Sequence, residues 1–191
     1  MKKRLILWND QLILQRLSNF RLQSMIECVG RQEMPYKVFI SHSTRDQGLV
    51  ISLANLLSKF EIEVFVAEWY LNPVERLDQK IFKQIEEANC MVVLLSRKGI
   101  RSNWVHQEIS YALKCNKLII PLVEKGIDPK ELAALDGREY IEFDSQEYHE
   151  ALIKLSNHVK SLKMEKEEKE KTLLVLGGLL AFLLLLSGGT K

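Results

Sequence analysis

The chain contains little of what many common cofactor and metal sites require. Neither of the glycine-rich phosphate-binding patterns, GxGxxG and GxxxxGK[ST], occurs in its 191 residues. This argues against a dinucleotide held as a redox cofactor and against a P-loop, so no bound cofactor is expected. The four histidines show no metal-ligand spacing, and no metal site is predicted. Cys28, Cys90 and Cys115 are odd in number and far apart, which indicates buried thiols in a reducing compartment rather than disulfides.

The chain also lacks a strong charge of either sign. Its formal net charge is only +2, and acidic and basic residues are interspersed. A nucleic-acid-binding surface would need a basic stripe, so no nucleic-acid partner is expected. Hydrophobic residues make up 47% of the sequence, which is enough to build a core and excludes a disordered chain.

One long apolar run lies near the end of the sequence. Residues 172–190 carry no charge and are rich in leucine, and residues 163–171 before them mix lysine and glutamate. As a helix the run would span about 28 Å, close to the ~30 Å core of a bilayer. We therefore expect a charged linker at 163–171 and a single-pass transmembrane helix at 172–190. Because more lysines precede the run than follow it, the main domain is expected in the cytoplasm. A buried C-terminal core helix is the alternative.

The first 34 residues form a separate segment. Leu5, Trp8, Leu12 and Leu17 recur at helical spacing, which predicts an amphipathic N-terminal extension at residues 1–34. Such a helix would bind a membrane surface or a partner, or would pack on the main domain. These residues would alternatively be dispensable, since a natural domain start follows at Pro35.

The central region, residues 35–162, alternates apolar strands with amphipathic helices. Its third strand, residues 90–95, is continuously apolar and is expected to be buried on both faces. This alternation predicts an α/β domain with a parallel sheet between two layers of helices. The flavodoxin-like strand order 2-1-3-4-5 fits five strands of this size. The strands are predicted at 38–41, 61–67, 90–95, 117–122 and 140–143, and the helices at 49–60, 77–88, 103–114 and 145–162.

In this strand order the chain reverses direction between strands one and three. Ligands bind at such a switch point, beyond the carboxyl ends of the strands. The loops at residues 41–46 and 96–102 are therefore expected to border one crevice. Trp104 and Glu108, four residues apart on the helix after the second loop, share one helical face and can face this crevice.

The residue types at this crevice suit cleavage of a charged ring from a sugar. The carboxylate of Glu108 would stabilise an oxocarbenium-like transition state, and the indole of Trp104 would stack on a cationic ring. Arg45 and the serines of the first turn would hold phosphate oxygens. Each residue also has a purely structural interpretation: an exposed glutamate, a tryptophan packed on the sheet, and an exposed turn in which Asp46 caps a helix.

The order of these segments resembles the Toll/interleukin-1 receptor (TIR) domain. Residues 39–43 (FISHS) are similar to the first conserved box of that family, and residues 119–122 (IIPL) to its fourth strand. Residues 104–108 (WVHQE) are similar to the motif whose glutamate is catalytic in TIR enzymes. Residues 65–73 lie where the family has its gate (BB) loop. Here Val74 follows Pro73, where the family commonly has glycine.

The resemblance implies a prokaryotic-type TIR NADase. Such an enzyme cleaves NAD⁺ as its substrate to nicotinamide and ADP-ribose or a cyclic form, and is active when TIR domains self-associate. The expected role is a membrane-tethered defence or signalling effector. A non-catalytic TIR adaptor and a hydrolase of another nucleotide are the alternatives. The expected catalytic residue is Glu108, and the expected substrate-binding residues are Ser41, His42, Ser43, Arg45, Trp69 and Trp104.

Overall fold

The computed structural model describes residues 35–66 and 77–187. The predicted N-terminal extension at residues 1–34 lies outside the described residues, as do Trp69 of the predicted gate loop and Val74, which follows that loop. From Tyr36 onward the described chain alternates strands with helices, as the sequence predicts. The strands are β1 (Tyr36–Ser41), β2 (Ile62–Val66), β3 (Cys90–Leu95), β4 (Leu118–Glu124) and β5 (Ile141–Phe143). The α-helices are α1 (Gln47–Ser58), α2 (Leu77–Glu87), α3 (Asn103–Lys114) and α4 (His149–Ser187).

The five strands form one parallel sheet in the order β2-β1-β3-β4-β5. The predicted flavodoxin-like order is therefore confirmed. In the register of the two central strands, Ile40 of β1 lies opposite Val92 of β3, and Ser41 lies opposite Val93. Strands β1 and β3 are neighbours, so the loops that follow them lie at the same edge of the sheet.

Alternate residues of the central strands fill two separate cores. Val38 and Ile40 pack in one core with residues of α1 and α4. Phe39 and Met91 pack in the other with residues of α2 and α3. All six residues of β3 are buried, as predicted for a strand covered on both faces. The domain is thus a three-layer arrangement whose central strands have no solvent-facing side.

The thiols differ from one another. Cys90 is fully buried in β3, and this burial raises the pKa of its thiol to about 11. Cys115, just after α3, is only half-buried. The expectation of buried thiols therefore holds for Cys90 and is wrong for Cys115, while Cys28 lies outside the described residues.

The predicted transmembrane helix at 172–190 is wrong. The leucine-rich residues up to Ser187 are the end of α4, one helix that also includes the predicted charged linker, residues 163–171. None of the helices in the described parts of the chain is both long enough and apolar enough to cross a membrane. The membrane partner predicted from this segment therefore loses its support. The alternative of a buried core helix also fails, because Leu173 and Leu180 are 73% and 63% exposed.

The tertiary structure adds two short 3₁₀ helices that the apolar pattern does not predict. They span Thr44–Asp46 and Pro129–Leu135. The first directly follows the Ser-His-Ser turn and leads into α1. It changes the role expected for Asp46: this residue occupies the N-cap position of α1, but its side chain makes no capping hydrogen bond.

Candidate active site

Two loops meet at the carboxyl edge of the sheet, as the switch-point argument predicts. One follows β1 and contains Asp46, and the other follows β3 and contains Ser96. The hydroxyl of Ser96 donates a hydrogen bond to Oδ2 of Asp46, at 2.8 Å. The backbone N–H of Gly99 donates to the Ser96 hydroxyl oxygen, at 2.9 Å. These bonds fix the two loops against each other.

Gly99 is at the point of closest approach between the loops. A Cβ atom at this position would lie 2.9 Å from both Oδ2 of Asp46 and Cβ of Ser43. Real Cβ atoms do not come this close to other heavy atoms, so any larger residue would force the loops apart. The glycine is required here by space rather than by an unusual backbone angle.

The second loop leads directly into the N-terminus of α3. Ser102 is the N-cap residue, and its hydroxyl oxygen accepts a hydrogen bond from the N–H of Val105, at 3.5 Å. In the first turn of the helix, Nε2 of His106 lies 2.8 Å from the carbonyl oxygen of Ile100. This contact ties the helix back to its own loop. It gives His106 a structural role at the start of the helix.

Glu108 lies in the second turn of α3 and points at the end of β1. Its side chain is almost fully buried, with the residue only 2% exposed. The hydroxyl of Ser41, which is 1% exposed, donates a hydrogen bond to Oε2 of Glu108. A buried carboxylate is stable only when it is hydrogen-bonded or paired, and Ser41 provides one such contact. The alternative interpretation of Glu108 as an exposed glutamate is therefore wrong.

A small cavity of about 120 Å³ opens beside this pair. Trp104 lies on its rim, 39% exposed, and is therefore not part of the packed core. The spacing of four residues brings Trp104 and Glu108 to the same cavity, as helical geometry requires. The cavity is lined by Ile40, His42, Ser43, Thr44, Ser102, Trp104 and Glu108.

The remaining predicted site residues are distributed around this cavity. His42 is buried at its wall and Ser43 is half-buried there. Arg45 does not line it; this residue lines a second, larger groove that shares Ser43 with the cavity. Ser41 contacts Glu108 rather than lining the cavity itself. Trp69 lies outside the described residues.

The carboxyl of Asp46, in the first of the two loops, has a perturbed environment. Partial burial raises the pKa of its carboxyl above the usual range. The hydrogen bond from Ser96 and the positive potential of His42 act in the opposite direction and lower this pKa in part. The local sequence contains no signal for this contact, because Ser96 and Asp46 are 50 positions apart.

The geometry brings together a hydrogen-bonded buried carboxylate, an accessible indole and a cavity that both of them border. A carboxylate fixed in this way can stabilise a positive charge that develops in the cavity, without first reorganising. The indole offers a flat, electron-rich face to a cationic or aromatic ring. In the described residues, no group of His, Cys, Asp and Glu side chains is arranged to hold a metal ion.

Comparison with known proteins identifies the family. A family model described as "TIR domain" matches residues 38–156 of the chain. A 2′ cyclic ADP-D-ribose synthase of Bacteroides thetaiotaomicron, BtTIR, is 30% identical over 95 residues, which are 47% of this chain and 33% of that protein. A probable 2′ cyclic ADP-D-ribose synthase of Brachypodium distachyon, BdTIR, is 26% identical over 126 residues, which are 63% of this chain and 56% of that protein.

The fold comparison agrees with the sequence comparison. The crystal structure of the TIR domain of the Toll-related receptor TRR-2 from Hydra magnipapillata matches with a TM-score of 0.55 and 20% identity. The match covers 64% of this chain and 97% of the receptor domain. The chain spans about a third and about half of the lengths of the two synthases that it matches. With the family model matching more than half of its residues, the chain belongs to the TIR domain family.

Proposed function

We propose that this protein cleaves the bond between nicotinamide and ribose in NAD⁺. The products are nicotinamide and ADP-ribose or a cyclic form of ADP-ribose. The observation that carries this proposal is the buried carboxylate of Glu108, held by Ser41 and bordering the same cavity as Trp104. A TIR domain that only bound other TIR domains would have no need of a desolvated carboxylate at a cavity.

The reaction requires little acid catalysis. When the bond between C1′ of the ribose and the ring nitrogen breaks, its electron pair stays with the nitrogen, and nicotinamide leaves as a neutral molecule. The positive charge moves to the ribose, in an oxocarbenium-like transition state. Glu108 would stabilise this charge through its carboxylate, which the Ser41 hydroxyl keeps in place. A water molecule or a hydroxyl of the same substrate then attacks C1′ and gives the linear or the cyclic product.

Trp104 would act before the bond breaks. Trp104 is partly exposed on the cavity rim, so its indole can stack on the nicotinamide ring. This ring is cationic in the substrate and neutral in the product. The contact therefore favours binding of the intact substrate over retention of nicotinamide. Two relatives of this chain are named as synthases of 2′ cyclic ADP-D-ribose, which supports NAD⁺ as the substrate.

Self-association of TIR domains is part of the proposal. If assembly activates the enzyme, the specific activity should rise with protein concentration until the assembled form dominates. A specific activity that is constant over a wide range of protein concentration would contradict this part of the proposal alone.

The direct test is to incubate the purified full chain with NAD⁺ and to follow nicotinamide and the nucleotide product by chromatography. Parallel reactions with CMP and AMP test whether another nucleotide is cleaved instead. Release of nicotinamide supports the proposal. Cleavage of only another nucleotide, or no cleavage at any protein concentration, would contradict it, and the second result would favour the adaptor interpretation.

A further inference from the structure

A second cavity, much larger than the first, lies between the segments that follow β1, β3 and β4. Its volume is about 680 Å³, within the range typical of ligand sites. Four cationic side chains line it: Arg45 from the first loop, and Arg97, Lys98 and Arg101 from the second. Its acidic lining residue is Glu131. We call this cavity the basic groove.

The basic groove and the Glu108 cavity are neighbours. Ser43 and Ser102 line both of them, so one ligand can extend from one cavity into the other. The Glu108 cavity, at about 120 Å³, has room for only part of a dinucleotide. The rest of such a ligand must lie outside it, and among the residues that the structure describes the basic groove is one adjoining space.

The cations of the groove are available to a ligand. Arg45, Lys98 and Arg101 are exposed, and none of them forms an ion pair with another residue in ranges 35–66 and 77–187. Arg97 differs, because its Nε lies 4.0 Å from Oε1 of Glu124. Arg45, Lys98 and Arg101 therefore line the groove without an ion pair to any residue in the described ranges, in a chain whose formal net charge is only +2.

Arg97 instead forms a fixed wall of the groove. Its guanidinium donates a hydrogen bond from Nη2 to the carbonyl oxygen of Lys125, at 2.6 Å. The next residue, Gly126, has a positive φ of 83°, and a Cβ there would lie 2.7 Å from Nη2 of Arg97. The glycine thus permits the guanidinium to lie against the backbone after β4. The loop that carries Lys98 and Arg101 is thereby anchored on both sides.

We propose that the basic groove binds the diphosphate of the dinucleotide whose nicotinamide end enters the Glu108 cavity, and that Lys98 and Arg101 are its principal phosphate ligands. This assignment rests on the proposed function for the identity of the substrate. Guanidinium and ammonium groups form charge-assisted hydrogen bonds to phosphate oxygens. The groove lies away from the bond that breaks, so its contacts contribute to substrate binding in the ground state and the transition state alike.

The test compares the wild-type chain with a Lys98→Gln, Arg101→Gln double variant. A Lys154→Gln, Arg138→Gln variant makes the same change of charge at exposed positions outside the groove and serves as the matched control. Losing a contact that stabilises the bound substrate and the transition state equally raises KM and leaves kcat unchanged. We therefore expect KM for NAD⁺ to rise about 10-fold in the groove variant, with kcat unchanged. Nicotinamide riboside, which lacks phosphate, should be cleaved with unchanged kcat/KM. The control variant should behave as wild type with both substrates.

A second measurement does not depend on cleavage. Inorganic diphosphate is titrated calorimetrically into the same three proteins, and we expect the groove variant to bind it at least about 10-fold more weakly than the other two. If the wild type cleaves no NAD⁺, the proposed function is wrong, and this titration alone then shows whether the basic groove binds diphosphate. Unchanged diphosphate affinity in the groove variant would overturn the assignment. An unchanged KM for NAD⁺ in the groove variant would also overturn the assignment. An equal loss of kcat/KM for NAD⁺ and nicotinamide riboside would do the same.

Discussion

Ser41, the last residue of β1, donates a hydrogen bond to the carboxylate of Glu108 in α3, and both side chains are buried. The two residues are 67 positions apart, so the contact exists only because β1 and α3 meet at the edge of the sheet. It joins a residue predicted to bind substrate with the residue predicted to be catalytic. We interpret Ser41 as a positioning residue for that carboxylate.

Replacing Ser41 with alanine should therefore reduce turnover. Leaving a buried polar group without one of its partners costs about 1–3 kcal/mol, so we expect kcat to fall roughly 10-fold or more and the melting temperature to decrease. KM should change little, because Ser41 does not line the cavity. Ser52→Ala is the matched control, since Ser52 is half-buried, does not line the cavity, and donates a hydrogen bond from its hydroxyl to the carbonyl oxygen of Gly48. A higher KM with unchanged kcat would instead indicate direct contact of Ser41 with substrate.

Trp104 should contribute to substrate binding and little to stability. It is 39% exposed, so Trp104→Ala should leave the melting temperature nearly unchanged. The same substitution should raise KM for NAD⁺ several-fold, and Trp104→Phe should raise it less, because phenylalanine keeps a stacking face worth about 0.5–1.5 kcal/mol. The measurement is steady-state nicotinamide release together with thermal unfolding of both variants. A large and equal loss of stability in both would show that Trp104 has a packing role.

Gly99→Ala should separate the two loops of the site. The added methyl group would meet Asp46 and Ser43 at 2.9 Å, and overpacking of this kind costs about 1–3 kcal/mol. We expect lower stability and a marked loss of NAD⁺ cleavage. Gly48→Ala in α1 is the control: apart from its chain neighbours and the backbone of its own helix, no atom lies within 4 Å of the Cβ position, so stability should rise by up to about 1 kcal/mol. Normal activity in Gly99→Ala would mean that the loop contact is not needed at the site.

The raised pKa of Asp46 predicts a pH-dependent effect on stability. A carboxyl whose pKa is higher in the folded state contributes stability at pH values below its unfolded pKa, and this contribution is lost as the pH rises through the folded pKa. At pH 7 the partly buried carboxylate therefore destabilises the fold. Asp46→Asn removes the charge and keeps an oxygen that can accept from Ser96, so the variant should melt at a higher temperature at pH 7.

The size of this gain should be below about 1 kcal/mol, because solvent screens a partly exposed group. The difference in melting temperature between Asp46→Asn and the wild type should shrink toward zero as the pH falls below about 4, where the wild-type carboxyl is protonated in both states. Thermal unfolding from pH 3 to pH 8 measures it. A difference that does not vary with pH would show that charge is not its cause.

Much of the fold was predictable, because the apolar pattern is local and strong. The six residues of β3 are apolar without interruption, and the spacing of apolar residues gave α1, α2 and α3 to within two residues. The fourth helix, predicted at 145–162, instead runs from His149 to Ser187. The strand order follows from strand count and the connection rules. The transmembrane prediction is wrong because no helix in the described residues is long and apolar enough to cross a membrane; the leucine-rich run is the end of α4, which also contains the charged turns before it.

The site was predictable only in part. The spacing of Trp104 and Glu108 placed both residues at one cavity, since helical periodicity is visible in the sequence. The contacts that position them were not visible. Ser41 with Glu108 and Ser96 with Asp46 are pairs from distant segments, and a single sequence does not show which side chains the sheet will bring together. The basic groove was also missed, because its cations come from two loops and form no continuous basic stripe.

The most direct test of the account is NAD⁺ cleavage by the wild type and by Glu108→Gln, measured side by side with their thermal unfolding. Glutamine has nearly the same shape and can still accept the hydrogen bond from Ser41, but it lacks the negative charge. We expect nicotinamide release by the wild type, and a loss of about 100-fold or more in kcat for a variant that remains folded. Cleavage of NAD⁺ by folded Glu108→Gln at the wild-type rate would contradict the central claim that this buried carboxylate carries the reaction.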